Sequence, residues 1–335
     1  MYSKLILSSI QSMTQSFYPT TLDFSQIRFL VTGGAGFIGS NLLDYLIACK
    51  AKHITVLDNL STGKIQNIQH LLNHSNFKFV EADITRSGDC ENVCKEIDIV
   101  IHLAALGSVP RSITNPLATH EANSTGFLNM LWAAKLNGVK KVIYASSSSV
   151  YGDNITSPKR EGFEGNPLSP YAFTKQSNEA YSKLFGDLYG LETIGLRFFN
   201  IFGKKQNKDG PYAAFVPLAI DAANTGNTLK IYGDGSQSRD FTHVSNAVWA
   251  ISNAVLAEKK ASGKAYNVAC GNSTSLLDVV KLVEKISQKN IKLNFSPPRQ
   301  GDIKDSLADI TLAFENLNFK SICNFEQGLE DVVVK

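Results

Sequence analysis

The segment that most constrains this chain is Thr32-Gly33-Gly34-Ala35-Gly36-Phe37-Ile38-Gly39, a glycine-rich turn between the short apolar run Phe29-Leu30-Val31 and a helical pattern from Phe37 to Ala48. A strand that ends in glycines and runs directly into a helix brings backbone N–H groups to the helix N-terminus, where a diphosphate is held. A glycine triplet alone is a weak signal, and its context strengthens it. A second strand-like run, His53 to Leu57, ends at Asp58, about twenty residues on, where an acid meets an adenosine ribose. Gly33, Gly36, Phe37, Ile38 and Gly39 are the expected diphosphate cradle. Asp58, with Asn59, Ser61, Thr62 and Gly63, forms the ribose end. Nothing in Asn59 to Gly63 is basic, so no side chain there would accommodate a 2′-phosphate, and NAD is expected over NADP.

Strand and helix signals go on alternating. Short branched runs at Phe77 to Val80, Ile97 to Leu103, Val142 to Ala145 and Thr193 to Leu196 have the look of buried parallel strands, and helical patterns cover Leu117 to Leu136 and Tyr171 to Tyr189. The expected fold is α/β, a doubly wound parallel Rossmann-type sheet with a smaller C-terminal α/β substrate lobe. The expected divisions are an N-terminal extension, 1–26, an NAD-binding domain, 27–200, and a mainly substrate-binding lobe, 201–335. Asp83-Ile84 and Leu103-Ala104-Ala105 fall at strand ends, where adenine and the nicotinamide ribose would be lined. Beyond Asn200 the pattern loosens around turns, with helices near Ser245 to Ala257 and Leu276 to Gln288.

Composition narrows the partners. The chain has 335 residues, 19% of them charged, and a net charge of +3 without a long run of either sign. That argues against a nucleic-acid arm or a polybasic membrane patch and for a small-molecule partner. No segment approaches the roughly 18 apolar residues of a membrane span, and Leu5-Ile6-Leu7 is too short for a secretory signal. Residues 1–26 are expected to be a mobile or surface-packed extension, and Met13 offers an alternative start. Five cysteines without zinc-like pairing point to free thiols, no metal and a cytoplasmic location.

The second chemical signal is Tyr171-Ala172-Phe173-Thr174-Lys175, preceded by a serine run, Ser146 to Ser149. A tyrosine four residues before a lysine puts both side chains on one helix face, about 6 Å apart at Cβ. The ammonium can stabilise a phenolate. A free phenol titrates near ~10, and a base working near neutrality needs about three units less, roughly 4 kcal/mol, which one lysine, a positive nicotinamide and a helix N-terminus could supply together.

Together these residues resemble the extended short-chain dehydrogenase/reductases that act on nucleotide-sugars. The resemblance is carried by the glycine turn, His102-Leu103-Ala104-Ala105, Ser146 to Gly152, Pro170 to Lys175, Leu196-Arg197-Phe198-Phe199-Asn200 and Arg239-Asp240-Phe241. Leu106 to Ser112 and Asn166 to Tyr171 are most similar to bacterial UDP-N-acetylglucosamine 4-epimerases of surface-polysaccharide synthesis. The resemblance implies Tyr171 as acid and base, Lys175 as the group that holds the ribose and lowers the tyrosine pKa, and Ser147 as a hydrogen-bond partner of the reacting hydroxyl. It adds Asn123 and Phe198 to the NAD site, although many relatives have tyrosine where Phe198 stands. The cofactor is expected to be tightly bound and recycled.

On the substrate side the resemblance implies a diphosphate clamp of Arg239 and Arg299, with Asn200 near the diphosphate or sugar and Asp302 at the uridine ribose. Val216 and Tyr232 flank the uracil. Ser108, Ser148 and Ser149 line the sugar pocket, and Ser306 leaves room for a 2-acetamido group. Related 4,6-dehydratases carry an Asp-Glu pair where Ser148-Ser149 stand, and UDP-glucuronate decarboxylases usually keep a glutamate at the second position. Open alternatives are a UDP-N-acetylglucosaminuronate or UDP-glucose 4-epimerase, the decarboxylase, and a non-catalytic NAD-binding regulator. In relatives the helices at Leu117 to Leu136 and Tyr171 to Tyr189 pair across a two-fold axis, so a homodimer is expected.

Overall fold

Branched and aromatic residues that alternate in direction along a strand need apolar cover on both faces, and the first strand, β1 (Arg28–Thr32), shows how it is provided. Phe29 and Val31 enter one core with Leu42, Leu46, Ile101, Ile143 and Trp249. Leu30, on the other face, joins Val100, Phe127, Met130, Leu131 and Phe185. The computed structural model describes residues 17–20, 22–209, 213–298 and 304–333.

The central sheet adds β2 (His53–Asp58), β3 (Phe77–Glu81), β4 (Ile99–His102), β5 (Lys141–Ser147), β6 (Glu192–Phe198) and β7 (Lys264–Val268). Its order is β3-β2-β1-β4-β5-β6-β7, with every neighbouring pair parallel. Four helices matter for the site: α1 (Phe37–Ala48), α2 (Gly126–Leu136), α3 (Pro170–Tyr189) and α4 (Val244–Leu256). The strand order reverses between β1 and β4, which opens a crevice at the carboxyl ends of the strands.

A smaller apolar cluster lies in the C-terminal part, where Val216, Ala219, Leu229, Ile231, Val279, Val283 and Leu329 pack together. Elements from beyond residue 200 also pack with the central sheet. β7 extends the first sheet beside β6, and α4 packs against α1. The strand is hard to foresee because Lys264-Ala265-Tyr266-Asn267-Val268 has no apolar run; pairing with β6 and full burial of Tyr266 make it one. Where the sequence pattern predicts one helix over Leu117 to Leu136, the helical path contains a π-helical turn, Glu121–Thr125, a feature that recurs near functional sites.

No described helix is long and apolar enough to cross a membrane. The five cysteines are free thiols, and no cluster of potential metal ligands occurs among the described residues.

Candidate active site

The glycine turn is shaped by backbone contact. Gly33 has φ +70°, and a Cβ there would stand 2.7 Å from Ala104 N; one on Gly39 would stand 2.3 Å from Gly33 O. Only glycine lets the turn, β4's exit and α1 approach so closely. Gly36 caps α1 without a side-chain hydrogen bond, leaving the N–H groups of the first turn for an anion. Asp58, buried at the end of β2, accepts from Ala35 N and from Leu60 N, each at 2.9 Å. Burial pushes its carboxyl pKa up, and these two donors act against that.

Across the crevice, the ends of β1 and β4 are joined where His102 Nδ1 lies 3.0 Å from Thr32 Oγ1, which also accepts from Ala104 N at 3.2 Å. Burial, reinforced by the Lys175 charge, pushes His102 down to about 3, so its imidazole is neutral.

Ser169 starts α3 by accepting from Ala172 N at 3.1 Å, Pro170 follows, and Gly190 closes the helix in the left-handed conformation. Tyr171 and Lys175 then face β5. Lys175 Nζ donates to Ala145 O at 2.7 Å and lies 5.8 Å from the centre of the Tyr171 ring. Ser147 Oγ accepts from Ser149 N at 3.1 Å, leaving its proton for the Tyr171 phenol.

The lowering expected of this tyrosine draws on a lysine, a positive nicotinamide and a helix N-terminus together, and the protein's own side chains do not supply it. Burial pushes the Tyr171 phenol pKa up, and the Ser147 hydrogen bond only partly offsets it. Lys175 donates to the Ala145 carbonyl and is itself pushed down to about 8 by burial, against the pull of Glu179. Lowering the phenol at this position takes further positive charge beside it.

Apart from Asn123, the residues expected at the cofactor line one cavity of about 770 Å³, and Ser147, Tyr171 and Lys175 line it too. Asn123, in the π-helical turn, bonds instead to the Leu106 backbone at 2.8 Å and to Thr174 Oγ1 at 3.3 Å. Uncapped helix N-terminus, glycine cradle and buried acid are a donor and acceptor set that fits a dinucleotide.

A neighbouring cavity of about 460 Å³ is lined by Asn200, Val216, Tyr232 and Arg239 among others; Ile201 lines both cavities. Arg239 donates to Ser238 O at 2.8 Å and Lys304 O at 3.2 Å. Ser306 is buried and paired in register with Arg239. Ser108 caps the helix Val109–Thr114, accepting from Arg111 N at 3.2 Å with φ +155°, a strained value for a non-glycine residue. Ser148 and Ser149 turn into a short 3₁₀ helix and are not among the residues lining the first cavity; Ser149 Oγ is buried without a hydrogen-bond partner. Arg299 and Asp302 lie outside the described residues.

The structure also draws in residues given no role in the sequence reading. Gln206 lines the first cavity, and Glu179, one further turn along the face of Tyr171 and Lys175, meets Ser146 and Arg197. The spacing of Tyr171, Lys175 and Glu179 was the available signal.

A doubly wound parallel sheet with a serine, tyrosine and lysine facing a glycine-lined crevice defines a short-chain dehydrogenase/reductase of the extended type. Residues 29–269 match the NAD dependent epimerase/dehydratase family, and the chain belongs to that family. It is similar to the structure of a UDP-N-acetylglucosamine 4-epimerase from Methanobrevibacter ruminantium in complex with UDP-N-acetylmuramic acid, at 39% identity and a TM-score of 0.87, covering 93% of this chain and 98% of that one. The UDP-glucuronic acid 4-epimerase of Bacillus cereus, in complex with UDP-glucuronic acid and NAD, is 32% identical with a TM-score of 0.86, covering 92% and 98%. A UDP-glucose 4-epimerase of Mycolicibacterium smegmatis is 35% identical over 310 residues, 92% of this chain and 97% of that protein.

Proposed function

We propose that this chain is an NAD-dependent 4-epimerase of UDP-N-acetylhexosamines, interconverting UDP-N-acetylglucosamine and UDP-N-acetylgalactosamine through a transient 4-keto sugar, for surface-polysaccharide synthesis. The carrying observation is that Ser147, Tyr171 and Lys175 share a cavity with the glycine turn and Asp58, while the two positions after Ser147 hold serines and no carboxylate. Elimination of water needs an additional acid and base; inversion at C4 needs one group that takes and returns a proton. The Methanobrevibacter protein supports the acetamido sugar. The Bacillus and Mycolicibacterium proteins act on other UDP-sugars, and the small, buried Ser306 favours the acetamido sugar over them.

The residues that would hold NAD are those of the first cavity, with the diphosphate at the α1 N-terminus and the adenosine ribose at Asp58. When bound, NAD supplies a hydride acceptor that later returns the hydride. Tyr171 Oη takes the proton of the sugar O4 and returns it to that oxygen once the keto sugar has turned to present the opposite face of C4. Ser147 holds that hydroxyl, and Lys175 keeps positive charge beside the phenol. Arg239 and Asn200 hold the diphosphate in the neighbouring cavity while the sugar turns over. The working unit is a homodimer.

The test is proton NMR of purified protein with UDP-N-acetylglucosamine, UDP-glucose and UDP-N-acetylglucosaminuronate in separate tubes, with no NAD added. Inversion at C4 of the acetamido sugar is expected. Release of free NADH, or carbon dioxide from the uronate, would overturn the reading.

A further inference from the structure

Three side chains on one face of α3 meet three consecutive residues of β5. Tyr171 lines the cavity beside Ser147, which acts to lower its phenol pKa, Lys175 Nζ donates to Ala145 O at 2.7 Å, and Glu179 Oε1 accepts from Ser146 Oγ at 2.5 Å. The first two belong to the chemistry already described. The third does not line the cavity, yet it is the most firmly held of the three. Arg197, on β6 and 4% exposed, grips the Glu179 carboxylate with two nitrogens, Nε at 2.9 Å and a terminal nitrogen at 2.7 Å. Arg197 is fixed in turn. It stacks 5.1 Å from the centre of the Tyr151 ring, donates to Tyr151 Oη at 3.0 Å and pairs with Glu164 at 2.5 Å. Tyr151 Oη donates to Asn267 Oδ1 on β7 at 2.6 Å.

Resting on the epimerase reading above, we propose that Glu179 is a positioning residue: held by Arg197 and Ser146, it sets the register of α3 against β5 and so the placement of Tyr171 and Lys175 beside Ser147. A bidentate guanidinium–carboxylate pair fixes both distance and plane, and a helix pinned at its third turn cannot slide along the strand that carries Ser147. Glu179 also places negative charge one turn from Lys175, which raises the pKa of that ammonium. The other titratable groups around Lys175 are few. His102 from β4 is neutral, Tyr144 on β5 is buried and neutral, and Tyr171 shares the helix. Arg197 and Glu164 act from beyond Glu179.

The variant Glu179→Gln keeps the shape and leaves Arg197 its pair with Glu164. Two readouts separate positioning from general stability. The first is the Lys175 titration, followed by carbon NMR of isotopically labelled lysine and assigned by the signal lost in Lys175→Met. The wild-type midpoint lies near 8; in Glu179→Gln it moves to lower pH, and the alkaline limb of kcat moves with it. The second is the split between kcat and KM. kcat falls on the order of 100-fold, as for a catalytic group misplaced by about 1 Å, while KM for the UDP-sugar holds. Should Glu179→Gln not fold, Ser146→Ala removes the strand-side bond while Glu179 keeps its charge, so it is read by the kcat and KM split alone, with the Lys175 midpoint staying near 8. An unmoved Lys175 midpoint in Glu179→Gln, or a wild-type kcat in either variant, overturns the proposal. A wild-type protein that turns over no UDP-sugar sinks the epimerase reading instead, and the Lys175 midpoints still decide for or against Glu179.

Discussion

Asp58 accepts a hydrogen bond from the backbone N–H of Ala35 at 2.9 Å, so the acid that ends β2 also holds the glycine turn that follows β1. Its other oxygen accepts from Leu60 N, and a Cβ on Gly63 would stand 3.0 Å from both oxygens. Removing the carboxylate leaves two inward N–H groups without an acceptor, at about 1–3 kcal/mol each. Asp58→Ala is expected to weaken NAD binding by at least about tenfold in calorimetry and to lower the thermal midpoint. Asp58→Asn keeps one acceptor oxygen, loses less stability and narrows the preference for NAD over NADP. Unchanged NAD affinity in Asp58→Ala would remove the acid from the cofactor site.

Tyr171→Phe removes the one oxygen proposed to take and return a proton, and kcat should drop about 10²- to 10⁴-fold while NAD still binds. Lys175 loses its proton as pH rises through about 8, so activity that depends on the ammonium falls above that pH. Lys175→Met, which has no proton to lose there, should lack this alkaline limb. A pH–rate profile of both proteins checks the sign; an identical limb in each contradicts it.

Gly39→Ala is expected to be severe because the new methyl meets backbone, Gly33 O at 2.3 Å and Gly34 Cα at 2.8 Å, and backbone cannot swing aside as a flexible side chain can. Overpacking of this kind costs about 1–3 kcal/mol or more. Gly88→Ala, where nothing lies within 4 Å, is the control. Thermal melts of the two should separate clearly, with NAD binding lost only in the first.

The glycine turn and Asp58 are legible in the sequence because the parts of that site are local: a strand, a turn, a helix start and the end of the next strand. Tyr171 and Lys175 are legible for the same reason, since helical spacing alone puts them on one face. Glu179 shares that spacing, but its meaning depends on Arg197, eighteen residues on in the strand β6, and no periodicity reports such a pairing. Asn123 is legible as a residue near the crevice, whereas its actual bonds to Leu106 and Thr174 follow from a π-helical turn that propensity does not foretell. The raised Tyr171 pKa was out of reach for another reason: charge spacing can be read from a sequence, and burial, the larger effect here, cannot.

Ser306 is 7% exposed and runs in register beside Arg239, so a larger side chain there has no open path to solvent. Ser306→Tyr should lower kcat/KM on UDP-N-acetylglucosamine by tenfold or more, on the order of 1–3 kcal/mol of steric cost, and leave UDP-glucose less affected. NMR rates on both sugars decide it; equal loss on the two removes Ser306 from sugar selection.

The proposed homodimer makes a prediction of its own. Along α3, Phe173, Ser177, Ala180, Leu184 and Leu188 recur at helical spacing on one face, and Phe173, Leu184 and Leu188 are exposed. Beside them, Trp132 and Leu136 of α2 are also exposed, with the Trp132 ring 6.0 Å from that of Tyr189. A continuous apolar face of this kind suits burial against a copy of itself, because in a two-fold contact each residue is used twice. Leu184→Glu combined with Leu188→Glu would remove four leucines per dimer, each worth about 1.5–3 kcal/mol when buried, enough to carry a nanomolar dimer past the micromolar range. Sedimentation should find a dimer for the wild type and a folded monomer for the double variant; a monomeric wild type at micromolar concentration contradicts the assignment.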